Sequence, residues 1–418
     1  MLIFSEKLTP RIEYTFEFLF SQRGFSYEII TDLEEFKQSE GPKLNYSNQN
    51  LVDVKTIKPS KVLFEDDVRL INLTKGLFNN MEVLVFDDVI DPIAAIFYVL
   101  TRYEEYTEKA KDTHGRFEAK NSIQSTYNWL EIPICDVWSE GILSFVGIEK
   151  NQNHRFEIIP TFDIDSTYAY LHKGILRQTM GWLKDVMKFD YPRINERIKT
   201  LLRLQKDPFD NFDKIENIAS KFPMTRCFWL LADHGRWDKN LSYTNPAQQR
   251  VIQRTAAFCK VGLHPGYTTY LNRSILENEK SRLATLLKTT PTESRQHYLR
   301  LQIPETYRTL IDSNISTDYT MGYAECIGFR AGTAKAYPWF DLSKNEPSTL
   351  IIQPFCYMDG TLNEYLKLSP QIAIEKVKEL KSVISQYGGN FCFIWHNETI
   401  GFQHHWKGWQ GVLEASLQ

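Results

Sequence analysis

Two aspartates one residue apart close an apolar run in "EIIPTFDID", residues 157–165. If that run is a strand, Asp163 and Asp165 project to the same side. Two carboxylates so placed repel unless a cation or a proton lies between them. Other residues able to do chemistry stand where apolar runs stop: His264 after "KVGL", Arg330 after "YAECIGF", Asp359 after "LIIQPFCYM" and His396 after "FCFIW". A divalent cation suits the acid and histidine part of this set, most naturally Zn2+, with Co2+ or another divalent ion as alternatives. Such a cation lowers the pKa of bound water from about 15.7 toward about 7. One His after a strand is usually a hydrogen-bonded structural residue. Successive strand ends delivering Asp, His, Arg, Asp and His toward one rim favour a site.

The elements that must position these groups follow a clear rhythm. From Arg155 onward, short strand-like runs alternate with amphipathic stretches such as "NPAQQRVIQRTAAFC" and "SPQIAIEKVKELKSVISQYG". Alternating strand and helix means a parallel sheet or barrel. About six or seven strands over ~260 residues suit a β/α barrel whose chemistry sits at the C-terminal strand ends. Residues 1–150 read as a separate small α/β unit. In it, "RIEYTFEFLFSQRG" predicts a helix that stops at Gly24, and Asp91 and Pro92 predict the cap and first turn of another. "RYEEY", Arg102 to Tyr106, reads as a helix face with charges on neighbouring turns. The expected division is therefore 1–150 and 151–418.

The 418 residues, 42% hydrophobic and 24% charged, describe a soluble globular chain long enough for two domains. A net charge of −3 gives no electrostatic case for nucleic acid or for an anionic membrane. No apolar run reaches the ~20 residues of a membrane span. The N-terminal residues lack the basic and apolar regions of an export signal. Six scattered cysteines without a CxxC pair read as buried free thiols. Together these point to a cytoplasmic protein. Neither a P-loop nor a G-x-G-x-x-G is present, so a nucleotide-dependent transferase has no support.

The ordered set "TFDID", "GLHPGY", "GFRAGT" and "FIWHNE" resembles the polysaccharide deacetylase family, the NodB-homology domain, over roughly residues 155–418. The resemblance implies a distorted β/α barrel and a metal-dependent hydrolase that removes acetyl groups from an N- or O-acetylated carbohydrate. The N-terminal portion resembles an accessory domain that precedes some members. Carried over residue by residue, the resemblance makes Asp163 the catalytic base and Arg330 the residue that pairs with it. Asp165 and His264 become metal ligands, His396 the general acid, and Asp359 the acid that polarises His396.

One departure matters. The family usually places a second metal-binding His four residues after the first, and position 268 is Thr. His297, in "SRQHYLRL", is the candidate third ligand; its alternative is a surface residue beside Arg295 and Arg300. His234 is a minor candidate, and adjacent His404 and His405 share one metal poorly. Asp233 and Asp238 order a rim loop or serve as turn-formers beside Gly235. Thr268 also motivates a second reading, a carbohydrate-binding or scaffold protein that kept the barrel and lost efficient chemistry.

Overall fold

The computed structural model describes residues 1–148 and 155–418. The boundary expected at 150/151 lies outside the described residues. The fold expected from the sequence, a distorted β/α barrel preceded by a small α/β region, is the fold observed.

In the N-terminal region, Leu2–Phe4 lies in parallel between Glu28–Ile30 and Lys43–Asn45, with Lys55–Thr56 at the edge. A separate antiparallel hairpin pairs Leu73–Phe78 with Met81–Phe86. Asp91 caps the helix Pro92–Leu100, accepting from the N–H groups of Ile93 and Ala94, with Pro92 in the first turn. Every residue of that helix is buried. Buried side chains from this region and from the barrel form one continuous core; Tyr14, Phe97 and Phe340 meet there with ring centroids 5.0–6.2 Å apart.

The barrel is built from parallel strands whose near-continuous apolar runs reflect burial on both faces. Phe156–Ile164 lies between Arg226–Leu230 and Gly389–His396. Arg226–Leu230 pairs with Lys260–His264, which pairs in turn with Glu293–Ser294, then Thr317–Asp318, then Glu346–Ile352. The chain runs straight on from Ile352 to a two-residue strand, Tyr357–Met358, which pairs with Gly389–His396. Backbone hydrogen bonds continue across the join: Gln353 N–H donates to Asp318 O, Phe355 N–H to Met321 O, and Cys356 N–H to Cys392 O. The run 346–358 thus touches one neighbour at its start and the other at its end, and closes the sheet on itself. Tyr337–Asp341 adds an antiparallel strand outside the ring.

Helices cover the barrel through apolar stripes at helical spacing. Pro370–Tyr387 buries Ala373, Val377, Leu380 and Ile384, and Ser369 caps it by accepting from Ile372 N–H. All six cysteines are free; Cys135, Cys227, Cys356 and Cys392 are buried and Cys259 and Cys326 partly so.

Two expectations fail here, and they fail together. "YAECIGF" forms no strand; residues 323–333 are an irregular segment. Phe329 N–H donates to Leu130 O and Gly328 N–H to Cys356 O, so the segment is laid against the N-terminal region. Gly328 has φ 117°, and a Cβ there would meet the Leu130 carbonyl. Arg330 consequently points at that region. It holds Glu105 through Nε (2.9 Å) and Nη2 (2.6 Å). Of "RYEEY", Glu104–Thr107 is helical and Arg102 pairs with Glu105 three residues on, as expected, but these charges are buried. Arg102, at φ 56°, is fully buried and binds Glu104, Glu105 and Gln124.

Candidate metal and catalytic site

Asp165, the residue after the strand Phe156–Ile164, meets two imidazoles. His264 Nε2 lies 3.3 Å from its Oδ1 and His297 Nε2 3.5 Å from its Oδ2. One ligand atom from each of the three residues falls within 4.8 Å of the others. His264 ends the strand Lys260–His264. His297 arrives from the neighbouring segment, because parallel pairing continues past Ser294: Arg295 N–H donates to Leu263 O and His297 N–H to Pro265 O. The chain then turns sharply, with Tyr298 at φ 59° and Leu299 at φ 54°. Non-glycine residues held in this left-handed region gather at functional sites.

The outer nitrogens of both rings are already engaged. His264 Nδ1 lies 2.6 Å from the carbonyl of Arg295, and His297 Nδ1 lies 2.8 Å from Asp238 Oδ1. In a neutral imidazole the proton then sits on Nδ1, and the lone pair of Nε2 faces inward. Two lone pairs and a carboxylate therefore converge, and among the described residues the buried Asp165 Oδ1 has no hydrogen-bond partner of good geometry, His264 Nε2 at 3.3 Å being its nearest imidazole nitrogen. A cation would resolve this convergence, and one Asp with two His is a donor set that could hold Zn2+ with a position open. Without a cation, protonation takes its place. Burial opposes a charge on His297, but Asp165 and Asp238 raise its pKa to about 9. Burial alone would raise Asp165, yet His297 and His264 hold it well below the usual carboxylate range.

Asp163 stands beside this group, its Oδ2 3.9 Å from His264 Nε2. Its partner is Arg295, where Arg330 was expected. Arg295 Nη1 donates to Asp163 Oδ1 at 2.9 Å and to Thr161 Oγ1 at 2.8 Å, and its guanidinium lies over the Phe228 ring. Arg295 and His297 are two residues apart on one extended segment, so both reach the barrel interior. That spacing, in "SRQH", is the signal that identifies Arg295.

On the other side, His396 lies opposite Asp163 in register. Asp359 follows the strand Tyr357–Met358. Its Oδ1 is 2.9 Å from His396 Nδ1, and its Oδ2 accepts from His396 N–H and from Thr399 Oγ1. Burial disfavours an imidazolium, but Asp359, with Asp165 and Asp163 behind it, raises His396 well above its ordinary value. Glu398 is pushed up to about 7 by burial and by nearby Asp165.

A cavity of about 390 Å3 joins these groups, walled by Phe209, Trp237, Tyr298, Tyr365 and Trp406. Of the sequence candidates, Asp163, Asp165, His264, His297, Asp359 and His396 line it; Arg330 does not. His234, His404 and His405 line an adjoining groove. Asp238 orients His297, and Thr268 lies in a short helical turn after His264. The N-terminal region also contributes to the wall. Arg116 donates to Asp112 Oδ2 at 2.7 Å and to the Tyr298 carbonyl at 3.1 Å.

Residues 1–147 match a family of unknown function, DUF7033. No curated relative matches the chain. Among solved structures, similarity is found to a "putative polysaccharide deacetylase from Mycobacterium smegmatis", with 14% identity, 64% of this chain and 85% of that chain covered, and a TM-score of 0.41. It is found also to a "probable Polysaccharide deacetylase from Pseudomonas aeruginosa PAO1", at 10%, 66%, 89% and 0.40 on the same measures. The PuuE allantoinase gives 11%, 64%, 88% and 0.38.

Proposed function

We propose that the chain is a metal-dependent hydrolase that removes acetyl groups from an N- or O-acetylated carbohydrate. One observation carries this reading: an Asp165, His264 and His297 donor set lies between a buried Asp163–Arg295 pair and a His396–Asp359 pair, all in one cavity. Asp165, His264 and His297 would hold the ion. The ion, most naturally Zn2+, would supply Lewis-acid activation of water and of the acyl carbonyl oxygen.

The chain's own residues do the rest. Asp163, fixed by Arg295, accepts the proton released as water attacks. His396, held protonated by Asp359, donates to the leaving nitrogen or oxygen. The aromatic walls suit the faces of a sugar ring. On this reading residues 151–418 carry the catalysis and residues 1–150 act as an accessory unit that supports it, in the cytoplasm. The scaffold reading drew its support from Thr268; His297 supplies an imidazole in its stead, and nothing else in the cavity favours that reading.

Metal analysis of the purified chain, together with acetate release from acetylated oligosaccharides, tests the proposal. Stoichiometric divalent metal and acetate release that chelation abolishes are expected. A protein that takes up no divalent ion at saturating concentration would sink it.

A further inference from the structure

Two helices beside the cavity, Gly174–Met187 and Tyr191–Leu201, are packed inside out. Their inward residues are polar. Arg197 holds Asp185 through Nη2 at 2.6 Å and Gln178 through Nη1 at 3.1 Å, and Thr200 is buried beside them. Their outward residues are apolar. Leu176 is 74% exposed, Met180 63%, Met187 79% and Phe189 74%, and Leu183 and Leu202 join the same surface. Leu176, Met180, Leu183 and Met187 recur at helical spacing, so the exposed stripe is continuous. An amphipathic helix that turns its apolar stripe outward exposes a patch that calls for a cover.

Charge indicates what covers it. Residues 173–206 hold nine Lys and Arg against three Asp and Glu, in a chain whose net charge is −3. Lys184, Lys188, Lys199 and Arg203 are exposed around the apolar stripe, and Trp182 and Tyr191 lie among them. A second copy of the chain would bring two such cationic surfaces together, which is unfavourable. Apolar residues fringed by Lys and Arg, with aromatics between, describe helices that lie in the interface of an anionic bilayer.

We propose that the hairpin 174–204 seats the protein on an anionic lipid surface. The groove that adjoins the cavity is lined in part by this hairpin. Arg177, Lys184 and Arg197 line its hairpin end, and Lys173, Lys239 and Phe209 line both groove and cavity. Resting on the deacetylase reading, the substrate class narrows to an acetylated sugar carried on an anionic lipid. The hairpin spans nothing: among the described residues no helix is long and apolar enough to cross a membrane.

Flotation of the full chain with vesicles tests this. Binding is expected to vesicles of phosphatidylglycerol and phosphatidylcholine, and weakly or not at all to phosphatidylcholine alone, with loss at high salt. The combined change Leu176→Gln, Met180→Gln, Leu183→Gln and Met187→Gln should reduce binding roughly tenfold or more. Lys184→Gln, Lys188→Gln and Lys199→Gln together should remove the preference for anionic lipid. Failure of the wild type to float with anionic vesicles overturns the proposal. So does a wild-type dimer that the four glutamines convert to monomer without any effect on vesicle binding. Acetate release from a soluble acetylated oligosaccharide should survive Leu176→Gln, Leu183→Gln and Met187→Gln, which line neither groove nor cavity. Its absence in the wild type would count against the deacetylase reading and leave the flotation result standing.

Discussion

Arg295 grips Asp163 with its side chain at 2.9 Å while its backbone carbonyl receives His264 Nδ1 at 2.6 Å. One residue thus fixes the proposed base and the tautomer of a proposed metal ligand. The two functions separate on substitution, because only one of them needs the guanidinium. Arg295→Met should lower turnover sharply and leave metal content near stoichiometric, since the carbonyl remains. Breaking a buried ion pair at one end typically costs about 3–5 kcal/mol, so Arg295→Lys is the companion variant, expected to be more stable and still slow. Thermal melts, metal content and initial rates together decide it; full activity in Arg295→Lys would remove Arg295 from this role.

Asp163 and Asp165 should part in the same assay. Asp165→Ala should lose metal and activity together. Asp163→Asn should keep the metal and lose ~10²–10⁴ in rate, the usual worth of a positioned base. Loss of metal from Asp163→Asn would reverse the assignment of ligand and base.

Asp238 touches no proposed reacting atom but fixes His297 through Nδ1. Partners of this kind are typically worth about 10–100-fold in metal affinity. Asp238→Ala is expected to fall in that range in a competitive chelator titration, with Asp238→Asn closer to wild type. An unchanged affinity would mean that His297 is not a ligand.

The His396–Asp359 pair predicts a pH dependence. The folded pKa of His396 is raised well above its ordinary value, after burial's opposing effect, by Asp359. A raised value means the pair's stabilisation is complete below the unfolded pKa of about 6.5. It is lost as pH rises through the folded value. Asp359→Asn should therefore destabilise the protein most below about pH 6.5, with the gap to wild type narrowing as pH rises. The alkaline limb of kcat should move to lower pH in the variant, because an uncharged amide in place of the Asp359 carboxylate no longer stabilises the imidazolium. Identical alkaline limbs would show that His396 is not the proton donor.

Local pattern revealed the strands that carry Asp163, His264 and His396, because buried parallel strands write continuous apolar runs with polar residues at their ends. Arg330 stands away from the cavity for a physical reason. "YAECIGF" is apolar without being a strand; its backbone is satisfied by Leu130 and Cys356, contacts distant in sequence. The buried setting of "RYEEY" hid for the same reason, since Glu105 is paired with Arg330 across the junction between the two regions. Whole-chain charge concealed the cationic hairpin, where nine basic residues are offset by acids elsewhere. Closure of the barrel by the single run 346–358 has no local signature, because it depends on which strand each half of that run meets.

The last prediction concerns Arg116, which the N-terminal region delivers to the cavity wall. Its guanidinium is held by Asp112 and the Tyr298 carbonyl, one residue past His297. If Arg116 contacts substrate, Arg116→Ala should raise KM severalfold and leave kcat and metal content unchanged, the signature of lost uniform binding. If it instead braces the strained turn at Tyr298, metal affinity and kcat should fall together, because His297 would lose its placement. The cavity position favours the first outcome, since Arg116 lines the same space as Trp237, Tyr298 and Tyr365. Steady-state kinetics beside a chelator titration on one variant distinguishes the two. A variant indistinguishable from wild type in both would show that residues 1–148 contribute nothing to the cavity through Arg116.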